Sequence, residues 1–394
     1  MSAVVLAAPG SKSVTQRVLL LAALADAPTE IVGALDCDDS RRLRTALRSL
    51  GTSIDDSSPE SRWLVSPAPH HAPPAAIDCG DAGTTIRFCA ALSLLLERPL
   101  ALDGDEHMRR RPIGDLADAL QDLGVRTRWL ATPGFPPLEL QRTGRPTAEV
   151  AVDASRSSQF ASALLLVAPR LPLGLHVRLR GATVSGPYLD LTVEVLRAFG
   201  ARVDDHPDGY GVAPGALRCA RFMVDGDWSG GAFLLAAGWI ARRDVRIDNL
   251  RDDSRQGDRA IVGFLERLSR PGERRFDLRA CPDLLAPLAA ASAFAEGATE
   301  LRNVAHARIK ESDRIAVLAA GLRRAGNGVA EFPDGLRIER GDAPADAVLD
   351  PHGDHRMAMA FGLLSLRHPG LRVARPGCVS KSYPHFWDDL ERFR

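Results

Sequence analysis

Lysine is rare in this sequence, and the places where it occurs suggest anion chemistry. Only three of the 50 Lys and Arg residues are lysines, namely Lys12, Lys310 and Lys381. Lysine carries a compact ammonium group that can give up its proton, whereas the arginine guanidinium stays charged at any working pH. Each lysine stands beside serine or glutamate in a polar segment that reads as a turn or a helix start. Together they indicate one site that handles anions.

Further cations stand where helices are predicted to begin. Apolar runs of helical length follow turns rich in Gly, Ser, Thr and Asp, residues that cap helices or let the backbone approach a ligand. The positive end of the helix dipole lies there, so a cation at that place is unfavourable unless an anion compensates it. The cations beside such turns are Lys12, Arg17, Arg87, Arg111, Arg314, Arg356 and Lys381. We therefore expect these helix starts to bind phosphate and carboxylate groups.

The helix starts belong to a repeat. A helix that ends in a Leu-x-x-Leu-Gly type of sequence is followed by polar strand-like segments, a short strand and a turn that opens an apolar helix. Successive turns are about 71, 74, 71, 54 and 72 residues apart, and such regular spacing marks a structural repeat. The anchor residues are Ser13, Thr84, Ser158, Ser229, Asp283 and His355.

The repeat predicts the fold class. Two groups of three βαββαβ-like repeats should form two similar α/β domains, since 394 residues exceed what one core usually spans. We place one domain at residues 1–10 plus 224–394 and the other at residues 11–223.

One interval is short, which predicts a missing hairpin at residues 269–279. Its siblings carry paired strand signals there, such as 329–331 with 336–338. We expect the core strand 276–278 to remain. The strand edge that the missing hairpin exposes should be covered by Arg270, Arg274 and Arg275 or by a partner subunit.

Composition and charge exclude several classes of protein. The net charge is zero, so no basic field recruits nucleic acid or an acidic membrane. No apolar run reaches the roughly 18 residues of a membrane span, and the N-terminus lacks a signal-peptide pattern. A cytoplasmic location is therefore expected. The six cysteines form no CxxC pair, and His352 and His355 have no further ligand beside them, so no disulfide framework and no metal site are indicated.

Seven segments, in order along the chain, resemble the enolpyruvyl transferase family. They are residues 9–13 (PGSKS), 81–84 (DAGT), 108–114 (MRRRPIG), 157–160 (SSQF), 185–188 (SGPY), 310–314 (KESDR) and 354–359 (DHRMAM). The last of these is typical of the shikimate branch of the family. The branch that acts on a UDP-sugar would carry a reactive cysteine in its loop, and residues 105–111 contain none.

The resemblance implies a fold and a reaction. The fold would be an inverse α/β barrel in each of two domains, with the active site in the cleft between them. The substrates would be phosphoenolpyruvate and shikimate 3-phosphate. The enolpyruvyl group would be transferred by addition and elimination, without a cofactor or a metal, and the chain would act as a monomer.

The resemblance also assigns roles to residues. Lys12, Asp283 and Glu311 would move protons. The phosphoenolpyruvate site would consist of Lys12, Gly83, Arg111, Gln159, Arg314, Arg356 and Lys381. The shikimate 3-phosphate site would consist of Lys12, Ser13, Arg17, Ser157, Ser158, Gln159, Ser185, Tyr188, Asp283, His306 and Lys310.

The sequence departs from the family pattern mainly on the acceptor side. His107, Gly186 and His306 replace a common Arg, Lys and Asn, and Asp81 stands where Asn is usual. Two alternatives therefore stay open: transfer to a different cyclic alcohol, and a non-catalytic relative that binds anions. The retention of Lys12 and of two acids in the anion site argues against the second, because binding alone needs no carboxylate among the cations.

Overall fold

The computed structural model describes residues 3–58, 61–67, 76–155, 157–342 and 346–394. The chain divides into two compact units, each with its own hydrophobic core. Met1–Pro9 and Asp225–Arg394 form the first, here called the terminal unit. Gly10–Val224 form the second, here called the central unit.

Strand β1 (Val4–Leu6) belongs to the terminal unit, and the chain then enters the central unit. The described helices of the central unit are α1 (Lys12–Ala23), α2 (Asp38–Ser49), α3 (Gly83–Leu92), α4 (Gly114–Asp122), α5 (Ser158–Val167) and α6 (Pro187–Ala198). Its strands are β2 (Thr29–Val32), β3 (Ser53–Asp55), β4 (Arg62–Ser66), β5 (Ile77–Asp78), β6 (Leu100–Asp103), β7 (Val125–Trp129), β8 (Leu138–Arg142), β9 (Glu149–Asp153), β10 (Leu175–Arg180), β11 (Val203–His206), β12 (Gly209–Val212) and β13 (Arg221–Met223).

The terminal unit continues from Asp225. Its described helices are α7 (Trp228–Ala241), α8 (Ile261–Leu268), α9 (Leu285–Ser292), α10 (Arg314–Arg324), α11 (His355–Ser365) and α12 (Phe386–Glu391). Its further strands are β14 (Val245–Ile247), β15 (Arg274–Asp277), β16 (Thr299–Arg302), β17 (Gly328–Phe332), β18 (Gly335–Glu339), β19 (Ala347–Leu349) and β20 (Leu371–Val373). Short 3₁₀ turns precede several helices, including Gly257–Ala260, Pro282–Leu284 and Ala305–Ile309.

The sheets repeat one pattern. The central unit has three sheets in the described residues, ordered β13-β2-β4-β3, β5-β6-β8-β7 and β9-β10-β12-β11. In each, the first pair is parallel and the other pairs are antiparallel. A complete repeat such as β5-α3-β6-α4-β7-β8 therefore reads βαβαββ. The hairpin comes last, after both helices, whereas the sequence predicted it between them.

Two strands pair away from their neighbours in sequence. β1 precedes α1 along the chain but pairs in parallel with β14 of the terminal unit. β13 precedes α7 but pairs in parallel with β2 of the central unit. In the sequence, each of these two strands is followed by a helix that belongs to the other unit.

The terminal unit has fewer hairpins. The sheet β15-β16-β18-β17 is complete, and Ala330 pairs with Arg337 in its hairpin as predicted. Within the described residues β1-β14 has only two strands, which confirms the missing hairpin after α8. The sheet β19-β20 also has two described strands.

Arg274 stabilises the short connection between α8 and β15. Its guanidinium donates to the backbone carbonyl groups of Leu268, Arg270, Gly272 and Glu296. These carbonyl groups would otherwise lack partners in so tight a loop. Arg274 thus binds the loop that replaces the hairpin, and coverage of the strand edge by Arg270, Arg274 and Arg275 or by a partner subunit stays a prediction. The retained strand runs over Arg274–Asp277 with Phe276 fully buried.

Helices occupy two kinds of position. α1, α3 and α5 pack on one another, as do α7, α9 and α11. These helices are apolar on nearly all sides, which is the pattern of a buried helix. α2 instead buries Leu43 and Leu47 and exposes Arg41 and Arg42, the pattern of a surface helix. The buried helices are the ones whose starts carry most of the predicted site residues.

The recurring glycine has a local cause. Gly51 follows α2 with a φ of 100°, its N–H donates to the carbonyl of Arg48, and the N–H of Thr52 donates to that of Leu47. This closure of a helix end needs a left-handed residue, which glycine adopts without strain. Gly124, Gly200 and Gly326 end three other helices in the same backbone conformation. None of the described helices has the length and apolar character needed to cross a membrane.

Candidate active site

Three buried helices of the central unit begin with predicted site residues. α1 begins at Lys12, α3 at Gly83 and α5 at Ser158, and the helices pack against one another. The residues before α1 and α3, Ser11 and Ala82, make no side-chain cap. The first N–H groups of α1 and α3 are thus not taken by a capping side chain, which favours anion binding there.

Lys12 forms an ion pair that the sequence did not reveal. Its Nζ lies 2.9 Å from Oδ2 of Asp39 in the first turn of α2. The two side chains are only 15% and 5% exposed. The pair fixes the ammonium group at the start of α1. No sequence motif connects Asp39 with Lys12, because their contact depends on how α1 and α2 pack.

Arg17 is a buried cation that has no acidic partner in the described residues. Its Nε donates to Oγ1 of Thr192 at 2.8 Å, and its Nη1 donates to the carbonyl of Ser13 at 2.8 Å. Its Nη2 donates to Oγ of Ser162 and to the carbonyl of Tyr188. Burial lowers the pKa of Arg17 to about 10. A buried charge that no acid neutralises is costly, and here hydroxyl and backbone carbonyl oxygens accept its hydrogen bonds.

The structure brings Gly83 and Arg111 together. A Cβ atom on Gly83 would overlap Nη2 of Arg111, so a side chain there would force this guanidinium to shift. Nη1 of Arg111 donates to the carbonyl of Asp81 at 3.1 Å. Arg87 Nη1 donates to the carbonyl of Gly83 at 2.7 Å. Two buried arginines thus frame the first turn of α3.

The start of α5 is linked to the start of α3. Oγ of Ser157 accepts from the N–H of Gln159 at 3.2 Å, and Nε2 of Gln159 donates to Oγ1 of Thr84 at 3.2 Å. Ser158 is buried beside them. The amide side chain therefore connects two predicted anion-binding helix starts.

Ser185 and Tyr188 lie at the start of α6. Ser185 has a φ of 57°, a left-handed conformation that is rare for serine, and its carbonyl accepts from the N–H of Tyr188. Such strained positions persist where surrounding structure holds them and are frequent at ligand sites. The carbonyl of Tyr188 in turn accepts from Arg17, so the predicted acceptor residues of this unit are neighbours.

Arg314 is the centre of the site residues in the terminal unit. Its Nε donates to Asp354 at 2.8 Å, its Nη1 to Asp283 at 3.0 Å and its Nη2 to Glu311 at 2.7 Å. Burial alone would lower the pKa of Arg314, but the carboxylates of Asp354, Glu311 and Asp283 together raise it. Both predicted proton-transfer acids, Asp283 and Glu311, are thus held by one guanidinium.

Asp283 also reaches a second arginine. Its Oδ2 accepts from Nη2 of Arg356 at 3.0 Å, while its Oδ1 accepts from Arg314. It lies in the 3₁₀ turn Pro282–Leu284, and Arg356 lies in the first turn of α11. The carboxylate therefore bridges two buried guanidinium groups.

The remaining predicted residues of this unit lie in 3₁₀ turns or beside them. His306 lies in the turn Ala305–Ile309, and Lys310 follows it directly. Lys381 ends the turn Pro376–Lys381 and is buried. Nε2 of His306 is buried and has no hydrogen-bond partner in the described residues. Burial lowers the pKa of His306 to about 4; Lys310 and Arg314 act in the same direction and Asp283 against it.

The pKa of His306 predicts how stability depends on pH. The unfolded side chain takes up a proton near pH 6.5, whereas the folded one stays neutral down to about pH 4, so stability falls as pH falls through this window. His306→Asn should remove about 2 kcal/mol of the stability lost between pH 7.5 and pH 5. Urea unfolding at both pH values measures this. His385→Asn, at a histidine that is 83% exposed, is the matched control, and an equal effect there would contradict the assignment.

Asp258 is a buried acid that the sequence analysis did not select. It lies in the turn Gly257–Ala260 and is 3% exposed. Its Oδ2 accepts from the hydroxyl of Ser229, and its Oδ1 has no partner in the described residues. Burial, together with Asp283, raises the pKa of Asp258 to about 7, against the opposing effect of Arg356. Only its position in the segment Ser-Arg-Gln-Gly-Asp could have drawn attention to it.

The starts of α7 and α11 in the terminal unit are capped by carboxylates, unlike the starts of α1 and α3 in the central unit. Oδ1 of Asp227 accepts from the N–H of Ser229 at the start of α7, and Oδ1 of Asp354 accepts from the N–H of Arg356 at the start of α11. These carboxylates bind N–H groups that were expected from the sequence to bind substrate anions. The N–H groups at these two helix starts are therefore already bound by carboxylates of the chain itself.

Comparison with known proteins identifies the family of this chain. The model of the family described as EPSP synthase (3-phosphoshikimate 1-carboxyvinyltransferase) matches residues 2–390. The chain belongs to the EPSP synthase family. A 3-phosphoshikimate 1-carboxyvinyltransferase of Thiobacillus denitrificans is 38% identical over 96% of this chain and 94% of its own length. One from Vibrio cholerae is 36% identical over the same shares.

Solved structures confirm the predicted fold class. EPSP synthase from Acinetobacter baumannii has a TM-score of 0.80 at 24% identity and covers 98% of this chain and 95% of its own. The enolpyruvyl transferase NikO from Streptomyces tendae has a TM-score of 0.75 at 18% identity and covers 100% and 94%. At these identities the likeness establishes the α/β fold of the EPSP synthase family and nothing finer.

Two further observations concern the surroundings of Asp81 and metal binding. Asp81, where the family usually has Asn, lines a groove of about 600 Å³ with three arginines and four further aspartates. Arg42 pairs with Asp78 and Arg109 with Asp103 along this groove. No group of three or more His, Cys, Asp and Glu side chains in the described ranges is arranged to hold a metal ion.

Proposed function

We propose that this chain transfers the carboxyvinyl group of phosphoenolpyruvate to the 5-hydroxyl of shikimate 3-phosphate and releases phosphate, a step of chorismate and aromatic amino-acid biosynthesis. Family membership over residues 2–390 supports the reaction. The observation that carries it is the buried set of Arg314, Arg356, Asp283 and Glu311. Two guanidinium groups suit an anionic substrate, and two carboxylates among them suit proton transfer. The monomeric state and the cytoplasmic location stay predictions.

The reaction needs one proton delivered to the methylene carbon, one taken from the hydroxyl oxygen and one taken back from the new methyl carbon. In the addition, Glu311 gives a proton to the methylene carbon, Asp283 takes the proton of the acceptor hydroxyl, and the hydroxyl oxygen bonds to C2. In the elimination, the bond from C2 to the phosphate oxygen breaks, the ionised Glu311 takes a proton back from the new methyl group, and the vinyl group is restored. Lys12 gives a proton to the departing phosphate, and the proton that Asp283 took from the hydroxyl returns to Lys12 through water.

Cations and helix ends bind the two anions in this proposal. Phosphoenolpyruvate is held by Lys12, Gly83, Arg111, Gln159, Arg314, Arg356 and Lys381. Shikimate 3-phosphate is held by Lys12, Ser13, Arg17, Ser157, Ser158, Gln159, Ser185, Tyr188, Asp283, His306 and Lys310. The buried charge of Arg17, which no acid among the described residues neutralises, supports an anion beside it.

Phosphate release tests the proposal directly. Purified protein is given phosphoenolpyruvate with shikimate 3-phosphate, and inorganic phosphate is measured over time. The same assay with shikimate and with other cyclic alcohols separates the alternatives. Phosphate release with shikimate 3-phosphate, and with no other alcohol, supports the proposal. Release only with another alcohol would show that this alcohol is the acceptor. No release with any alcohol would favour a protein that binds anions without catalysis.

Gly83→Ala should raise the KM for phosphoenolpyruvate by about tenfold, because overpacking of this kind costs at least about 1 kcal/mol. The added methyl group would meet the guanidinium of Arg111 at 2.4 Å and displace it. Steady-state kinetics with each substrate varied in turn measure the effect. Gly215→Ala is the control, because a Cβ there meets no atom within 4 Å. An equal rise in the KM for both substrates would contradict a specific role in phosphoenolpyruvate binding.

A different acceptor is the second candidate. His306 replaces a common Asn of the family, and its neutral ring presents a buried Nε2 without a partner in the described residues. Gly186 replaces a common Lys, which removes a cation at the start of α6. Both changes alter groups that would recognise the acceptor, while the proposed phosphoenolpyruvate residues are all present.

A further inference from the structure

We propose that Asp283 occupies the position at which the carboxylate of phosphoenolpyruvate binds, and that Asp283 must leave it before the reaction can start. This inference rests on the proposed function. It makes Asp283 an internal competitor of one substrate as well as the base for the other.

The contacts of Asp283 are those expected of a bound substrate carboxylate. Its two oxygens lie on two different arginines, each 3.0 Å from the donor nitrogen. The side chains of Arg314 and Arg356 are 5% and 8% exposed, so little water competes for these hydrogen bonds. A planar carboxylate that bridges two guanidinium groups is a strong, directional arrangement.

A second carboxylate cannot simply be added to this arrangement. Each of the three nitrogens of Arg314 already donates to a different acid, Asp354, Glu311 or Asp283. A substrate carboxylate placed on the same guanidinium would face three like charges at short range. A substrate carboxylate that takes the N–H groups now bonded to one of these acids must therefore displace that acid.

Asp283 is the acid that can move. Asp354 is fully buried and also caps α11, so its displacement would expose a helix end. Glu311 is 12% exposed and Asp283 is 17% exposed. Asp283 is bonded to both arginines, so its departure vacates a donor on each of them.

The displacement has a chemical consequence. While both oxygens of Asp283 accept from guanidinium groups, the two positive charges make its carboxylate a weaker base toward the proton of an acceptor hydroxyl. When the substrate carboxylate takes over the two arginines, Asp283 becomes a stronger base. Binding of one substrate would thus prepare the group that activates the other.

Binding of phosphoenolpyruvate to the protein alone tests this idea. Equilibrium dialysis with labelled phosphoenolpyruvate at pH 8.5 compares the wild-type chain with Asp283→Asn. The neutral amide competes poorly for the arginines, so the Kd should fall by about tenfold or more, the lower end of what a charged hydrogen bond contributes. An unchanged or higher Kd would overturn the proposal.

Two controls separate displacement from a general change in charge. Asp258→Asn removes a carboxylate from the same unit that makes no ion pair with Arg314 or Arg356, and at pH 8.5 the wild-type Asp258 is charged. Inorganic phosphate serves as a second probe, because it has no carboxylate. The proposal expects the tenfold change only for Asp283→Asn with phosphoenolpyruvate. An equal change for Asp258→Asn, or for phosphate, would show a field effect and overturn it.

A second measurement does not depend on the variant folding. In a crystal structure of the wild-type chain with phosphoenolpyruvate, the carboxylate of Asp283 should have left Nη1 of Arg314 and Nη2 of Arg356. Both contacts intact beside bound phosphoenolpyruvate would overturn the proposal. Turnover by the wild-type chain separates this failure from failure of the proposed function: with turnover present, only the displacement of Asp283 would be refuted.

Discussion

Replacement of Lys12 by arginine is expected to lower kcat by at least about a hundredfold, the lower end of what a positioned proton-transfer group contributes. Arginine keeps the positive charge and can keep the ion pair with Asp39, which lies 2.9 Å from the lysine ammonium. It cannot give up a proton under working conditions. The loss therefore reports on proton transfer and not on charge.

Lys310→Arg is the matched comparison for this prediction. Lys310 has a proposed role in binding alone, so arginine there should change the KM for the acceptor and leave kcat within about threefold, well below what a proton-transfer group contributes. Thermal unfolding establishes that both variants fold. Near-normal turnover by Lys12→Arg would reduce Lys12 to a counter-charge, and the proton of the departing phosphate would need another source.

Local features of the fold could be predicted from the sequence. The six anchor residues all lie in the first two positions of a helix or in the 3₁₀ turn before it, because capping and glycine chemistry act over a few residues. The hairpin of β17 and β18 and the loss of the hairpin after α8 also followed from local strand signals and spacing. The grouping of these elements into βαβαββ repeats could not be predicted, because it depends on which strands pair.

Contacts between distant segments account for what the sequence could not reveal. Lys12 meets Asp39 through the packing of α1 on α2, and Asp258 approaches the active-site acids through the packing of a 3₁₀ turn on α7. The motif around Arg314 predicted a cation that binds substrate. It did not predict that the guanidinium holds three carboxylates of the chain itself.

These carboxylates change the picture of the terminal unit. The sequence predicted that the cations of this unit bind substrate anions, yet Arg314 and Arg356 already have acidic partners in the chain itself. A buried arginine without such partners would be costly, as the lowered pKa of Arg17 illustrates in the central unit. The two units thus solve the same problem differently. The terminal unit neutralises its arginines internally, and Arg17 in the central unit depends on backbone and hydroxyl acceptors.

Arg314→Met should destabilise the protein by about 3 kcal/mol or more, because removal of one partner leaves buried charges uncompensated. Asp354, Glu311 and Asp283 would lose their shared donor, and the first of these is fully buried. Urea unfolding at pH 8 measures the loss. Arg308→Met is the matched control: Arg308 also binds two acids, Asp313 and Glu331, but its side chain is 26% exposed, so the loss there should be about 1 kcal/mol.

The pH dependence of the Arg314→Met deficit separates charge from packing. As pH falls from 8 to 5, the stranded carboxylates of the folded variant can take up protons that the unfolded chain does not bind in this range. The folded state then binds more protons than the unfolded state, so the stability of the variant rises relative to the wild type as pH falls. A packing defect has no such dependence. A deficit that stays constant from pH 8 to pH 5 would mean that Arg314 acts by filling space, and the charge network around Asp283 would then carry no energetic argument.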